Sequence, residues 1–261
     1  MTAITFTRPD KPRVRTLCVL LAALAAVAAA PVLQVFGALD AGTFADEGDQ
    51  TLRAAGYAFS IWGLIYFGLV AYGIWQMLRQ TPETEALAAV GWPSVVAMAG
   101  CALWLVAAGF DIKPATVAII VVSAAAAIRG LLRAVPHWGP LGPASRFFIF
   151  WPLGLLAGWL TIASAINILT VLTAYGLITP ETARPAAFAG IAAVLLVGAA
   201  VVWRMHHLAY ALPIAWGLVA VYVAERADKP DVAWAALAAA GLMLVVGGVA
   251  GWPMRRRPQA A

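Results

Sequence analysis

The stretch YAFSIWGLIYFGLVAYGIWQ, residues 57–76, indicates the fold class of this chain. Seven of its twenty residues are aromatic and none is charged. About 20 apolar residues are enough for a helix to cross a bilayer. The whole chain is 63% hydrophobic and only 11% charged, whereas a typical soluble domain has about 25% charged residues. The sequence therefore predicts an integral membrane protein whose main partner is the lipid bilayer.

Apolar runs long enough to cross a membrane recur along the chain. They are rich in Ala, Leu and Val and lack the alternation of polar and apolar residues that is typical of a membrane β-barrel. We predict an all-α polytopic membrane protein with about eight transmembrane helices. The least separated pair is the sixth and seventh, with RMHH between them. The runs lie near 16–36, 57–78, 89–109, 115–134, 147–173, 186–203, 208–224 and 232–252.

The basic residues predict the orientation of these helices. With the N-terminus inside, twelve of the seventeen Lys and Arg residues fall in inner segments, as the positive-inside rule requires. We therefore expect both termini in the cytoplasm, and we interpret the net charge of +5 as a topology signal and not as a nucleic-acid-binding surface. The first apolar run could be mistaken for a signal peptide, but Pro31 follows the small residues, so we expect a retained first helix.

One face of the second span carries an aromatic cluster. At about 100° per residue, Phe59, Trp62 and Tyr66 fall within about 60° of one another. The fifth span carries a stripe of Trp159, Ala163, Asn167 and Thr170, and an amide deep in lipid must find a polar partner. The predicted topology puts Phe59, Trp62 and Asn167 in the outer half of the bilayer.

Trp104 of the third span lies at the same predicted depth. Aromatic rings with one amide could line an apolar pocket with a single polar handle. Helix packing is the alternative explanation of the aromatic face, and an interhelical hydrogen bond without a ligand is the alternative for Asn167. Both alternatives stay open at this point.

These motifs resemble the tryptophan-rich sensory protein group, related to the TspO/MBR (translocator protein) family. The resemblance rests on GYAFSIWGLIYFGLVAYGIWQ and GWLTIASAIN, and YALPIAWGLVAVYVA at 210–224 resembles the later part of longer members. The family pattern F-x-x-W-x-x-x-Y is matched by Phe59, Trp62 and Tyr66. Its Trp and Asn, eight residues apart, are matched by Trp159 and Asn167.

The resemblance implies a TspO-like five-helix bundle over residues 16–175, followed by three additional helices over 176–254. Residues 1–15 and the basic residues 255–261 would be cytoplasmic tails. It also implies binding of a tetrapyrrole, such as a porphyrin or a haem-like molecule, or of another flat apolar ligand, for sensing or transport. The expected ligand-binding residues are Phe59, Trp62, Tyr66, Trp104, Trp159 and Asn167. We expect the inner (plasma) membrane of a bacterium as the location.

The chain departs from the family in its first loop and its third helix. The loop DAGTFADEGDQTLRAAG has neither the Trp nor the Pro residues that the family usually has there, and we interpret FADEGD, 44–49, as a solvated patch. Cys101 precedes Trp104 where the family tends to have Asn.

No catalytic or metal-binding motif is recognisable in the sequence, so we expect no enzyme activity, no metal and no required cofactor. The histidines, His137, His206 and His207, fall in predicted inner loops. Alternative functions are a secondary transporter of a small solute, a lipid-modifying enzyme and a scaffold without a ligand. Small-xxx-small pairs at Gly154/Gly158 and Gly247/Gly251 could support a homodimer.

Overall fold

The computed structural model describes residues 13–36, 44, 47, 50–78 and 84–256, with side chains up to residue 250. Within these ranges the regular structure is helical, and eight helices are long and apolar enough to cross a membrane. Both the fold class and the number of spans are therefore as predicted. The helices are α1 (Arg13–Val35), α2 (Ile61–Met77), α3 (Glu85–Gly109), α4 (Lys113–Ala134), α5 (Pro143–Ala174), α6 (Pro180–Met205), α7 (Leu208–Glu225) and α8 (Pro230–Arg256).

Local sequence signals set several helix ends. The Thr84 side chain accepts a hydrogen bond from the backbone of Leu87, which satisfies a donor that the start of α3 leaves unpaired. Four helices have proline in their first turn, where its missing N–H costs nothing. His206 adopts a left-handed conformation, with φ of 53°, and ends α6. This turn separates α6 from α7 within the RMHH segment, as the prediction of two spans requires.

Helix α5 lies at the centre of the bundle. Of its most apolar 18-residue window, 72% is buried, compared with 28% for α1. Its closest neighbour is α7, because Gly154 and Gly158 face the backbone of that helix. A Cβ added to Gly154 would lie 3.0 Å from Ala209 Cβ. The Thr161 and Tyr210 hydroxyls also lie 2.6 Å apart across this contact.

The glycines proposed for a homodimer are mostly used inside the chain. Gly154 and Gly158 pack on α7, and a Cβ at Gly247 would meet Ala211 Cβ at 2.8 Å. The packing around Gly251 lies outside the described part of the structure. A homodimer stays a prediction that these three glycines do not support.

The last three helices share their core with the first five. One continuous cluster of buried apolar residues includes Val19 of α1, Ile65 of α2, Ile191 of α6, Ile214 of α7 and Met243 of α8. The division into 16–175 and 176–254 remains a prediction. For the predicted tails, residues 1–12 and 257–261 lie outside the described residues, while 13–15 and 255–256 are helical.

Candidate functional site

A cavity of about 550 Å³ lies inside the bundle, close to the end at which α2 begins. Helices α1 to α5 surround it, and Gly217 of α7 completes the wall. All six predicted site residues line this one cavity: Phe59, Trp62, Tyr66, Trp104, Trp159 and Asn167. Ala163 and Thr170 of the predicted stripe on α5 line it too.

The aromatic face of α2 meets Trp159 of α5. Trp62 stacks on Tyr66, with ring centroids 4.9 Å apart and planes 28° apart. Trp159 forms T-shaped contacts with Trp62 and with Phe59, with ring centroids 6.2 Å and 6.3 Å apart. These are the stacked and edge-to-face geometries that aromatic pairs prefer. The rings therefore support one another and form a wall of fixed shape.

A short 3₁₀ segment, Gly56–Ser60, leads into α2 and carries Phe59. Phe59 thus precedes the α-helix, yet its ring still faces Trp159. The 3₁₀ segment continues directly into the α-helix at Ile61. Phe59 therefore stays on the same side as Trp62 and Tyr66, as the helical period predicted.

Asn167 joins three helices at the cavity wall. The Trp104 indole N–H of α3 donates to Asn167 Oδ1 at 2.9 Å. Asn167 Nδ2 in turn donates to Thr116 Oγ1 of α4 at 3.1 Å. Because an indole can only donate, the amide oxygen must face Trp104, which fixes the orientation of the amide. The residue is only 4% exposed. Its two bonds are interhelical hydrogen bonds of the kind that the sequence suggested as an alternative.

We call these two hydrogen bonds the Asn167 clamp. The clamp still leaves the Asn167 side chain some capacity to bind a ligand. A primary amide has two N–H donors and an oxygen with two lone pairs, and the two bonds to Trp104 and Thr116 use one of each. The remaining donor and acceptor belong to a group that lines the cavity. Packing and ligand contact are therefore compatible roles for this side chain.

Sequence reasoning missed some of the wall. Phe44 is 3% exposed and meets Trp104 edge to face at 5.7 Å, so the interpretation of FADEGD as a solvated patch is wrong for its first residue. Cys101 also lines the cavity, as a buried free thiol, and its position one helical turn before Trp104 was the available signal. A loop residue such as Phe44 has no periodicity that would have identified it.

Polar groups from α1 and from the segment before α2 also reach the cavity wall. Gln34 and Arg53 lie among its lining residues. The Arg53 guanidinium forms an ion pair with Asp228 at 2.8 Å. The wall is thus mainly aromatic and aliphatic, with few polar groups, as in most small-molecule sites.

The three histidines lie away from this cavity. His137 Nδ1 is 2.7 Å from a Glu85 carboxylate oxygen, and His206 Nδ1 is 3.1 Å from the Ala250 carbonyl. His207 caps α7 by accepting from the Ala209 amide. Among the described residues, no three His, Cys, Asp or Glu side chains are grouped so that they could hold a metal ion.

The fold and the cavity define the class: a polytopic α-helical membrane protein with an aromatic cavity between its helices. Within this class, the family model described as TSPO-like protein matches residues 13–249. The match runs from α1 into α8, and the chain therefore belongs to the TSPO-like family. No curated protein and no solved structure matches the chain significantly.

Proposed function

We propose that this protein binds a flat apolar molecule of the tetrapyrrole class in the aromatic cavity, as a sensor or a carrier. The observation that carries the proposal is the convergence of the six residues, drawn from α2, α3, α5 and the turn before α2, on one cavity. Its volume of about 550 Å³ lies within the roughly 300–1,000 Å³ of typical small-molecule pockets. Family membership supports the same function.

The shape and chemistry of the wall suit a flat ligand. The Trp62–Tyr66 stack and the Trp159 ring offer aromatic surfaces against which a conjugated ring can pack. Asn167 supplies a polar contact that would orient a ligand without charging the cavity. These features favour a binding protein over an enzyme, and no required cofactor is part of the proposal.

The proposed setting is the inner membrane of a bacterium, with both termini in the cytoplasm. The cavity would then lie in the outer half of the bilayer. A ligand could enter it from the outer leaflet or from the external face. Uptake into proteoliposomes would separate carrying from sensing, since only a carrier moves the ligand across the membrane.

Titration with protoporphyrin IX tests the proposal, with the Soret band followed in the detergent-solubilised protein. Wild type should saturate. Trp62→Ala removes one ring of the stack and should weaken binding roughly tenfold or more, as loss of a buried aromatic anchor commonly does. Asn167→Ala should weaken binding less, by roughly threefold to tenfold, because one hydrogen-bonding group is lost.

Trp203→Ala is the matched control for these variants. Trp203 is 62% exposed on α6 and lies outside the cavity wall, so its removal should leave the titration unchanged. Linear, unsaturable uptake that is equal in all four proteins would mean partitioning into the micelle and would overturn the proposal. Thermal melts of each variant establish that it is folded.

A further inference from the structure

The segment immediately before α2 forms one side of the cavity. We call residues 50–60 the wall segment. Arg53, Ala54, Gly56, Ala58 and Phe59 of this segment all line the cavity. Its position therefore determines whether that side of the cavity is closed.

The wall segment is attached to α7 by its backbone. The Ala55 amide donates to the Ala220 carbonyl at 3.0 Å. The Trp216 indole N–H donates to the Ala58 carbonyl, also at 3.0 Å. Both bonds join the segment to α7 and are not bonds within the segment's own 3₁₀ turn. Helix α7 therefore supports this part of the wall.

A buried carboxylate forms the strongest part of this attachment. Glu225, the last residue of α7, has an exposed fraction of 0%. Its Oε1 accepts from the Arg53 backbone amide at 2.8 Å, and its Oε2 lies 2.9 Å from Lys229 Nζ. Hydrogen bonds to an ionised group are roughly twice as strong as neutral ones. A buried carboxylate that loses such partners is strongly unfavourable.

Lys229 and Asp228 extend the network to more of the wall segment. Lys229 Nζ lies 3.1 Å from the Thr51 carbonyl, to which it donates, and Asp228 pairs with the Arg53 guanidinium. Residues 224–229, at the corner between α7 and α8, thus contact the segment at one amide, at two carbonyls and at its one charged side chain.

We infer that Glu225 is a positioning residue for the cavity: with Lys229 it holds the wall segment in place and keeps that side of the cavity closed. This assigns a role to the C-terminal helices, which is to support the site from outside the cavity. The link to ligand binding rests on the proposed function. The closing of the cavity itself does not, and it can be measured without any ligand.

Cys101 provides the readout, because it is a buried thiol of the cavity wall. In a Cys18→Ala background it is the chain's single cysteine. The reagent is sulfonatoethyl methanethiosulfonate, whose negative charge bars it from entering through the micelle. The rate of Cys101 labelling then reports how often the cavity opens to water.

Glu225→Gln keeps an acceptor for the Arg53 amide but loses the charge that pairs with Lys229, and Lys229→Met removes the amine. Each should raise the labelling rate roughly tenfold or more, since breaking a buried ion pair is costly. The matched control is Glu85→Gln, which removes an exposed carboxylate paired with His137 far from the segment. It should label at the parent rate.

Parental labelling rates in both Glu225→Gln and Lys229→Met would overturn the inference, whatever happens to their melting temperatures. If Glu225→Gln does not yield a monodisperse protein, Trp216→Phe replaces it, because that change removes the donor to Ala58 and keeps an aromatic ring beside Tyr57. Faster labelling together with a failed protoporphyrin titration would keep the positioning role and refute the proposed ligand. Parental labelling with a saturable titration would do the reverse.

Discussion

Replacing Gly158 by alanine tests whether the contact between α5 and α7 is the structural centre of the protein. An added Cβ would lie 2.6 Å from Pro213 Cγ and closer still to the Tyr210 carbonyl oxygen. A backbone carbonyl and a proline ring cannot rotate away. The two helices must therefore separate by roughly 1 Å to restore van der Waals contact, and a close-packed bundle transmits that strain.

The expected loss of stability follows from the kind of atoms that the added Cβ would meet. Overpacking a well-packed core typically costs about 1–3 kcal/mol. Because the obstructing atoms at Gly158 belong to backbone and a proline ring, we expect a value near the upper end, about 3 kcal/mol. With a shift of about 2–4 °C per kcal/mol for chains of this size, Tm should fall by roughly 6–12 °C.

The assay is thermal unfolding in detergent, followed by tryptophan fluorescence. Gly63→Ala is the matched control, because Gly63 is also inside a transmembrane helix and no atom lies within 4 Å of its added Cβ. Its Tm should stay at the wild-type value or rise slightly. If Gly158→Ala melts together with wild type, the close contact of α5 with α7 is refuted, and with it the account of α7 as a support of the site.

Two further changes probe the cavity itself. Asn167→Ala should lower the free energy of unfolding by only about 1 kcal/mol, since hydrogen bonds within membrane bundles average about 0.6 kcal/mol each and the residue makes two. A fall in Tm as large as that of Gly158→Ala would contradict this expectation. Saturating protoporphyrin should slow labelling of Cys101 by N-ethylmaleimide while Cys18, which is outside the cavity wall, reacts as before; equal Cys101 rates with and without ligand would place the ligand elsewhere.

The class of fold and the number of spans follow from the sequence alone. Apolar runs and the length of chain that crosses a bilayer are local properties, so all eight helices can be placed from the order of the residues. The capping and breaking signals are local too, which is why RMHH can be interpreted as a turn. The aromatic face of α2 is also visible in the sequence, because the period of a helix puts Phe59, Trp62 and Tyr66 on one side.

Which helix faces meet depends on the tertiary structure. Hydropathy gives every apolar helix the same preference for lipid or for another helix, so it does not determine neighbours. Close contacts of small residues do, as at Gly158 against α7, and these contacts bring Gly217 to the cavity. The Asn167 clamp likewise depends on partners from two other helices.

Glu225 shows most clearly the difference between what the sequence predicts and what only the tertiary structure determines. In the sequence it is an acidic residue at the end of an apolar run, like any residue of a solvated loop. In the fold it is fully buried and bonded to Arg53, 172 positions away in the chain. Such a pairing has no periodicity and no local signal. It exists because a buried charge must find partners, and the packing of α7 on α5 determines which partners are within reach.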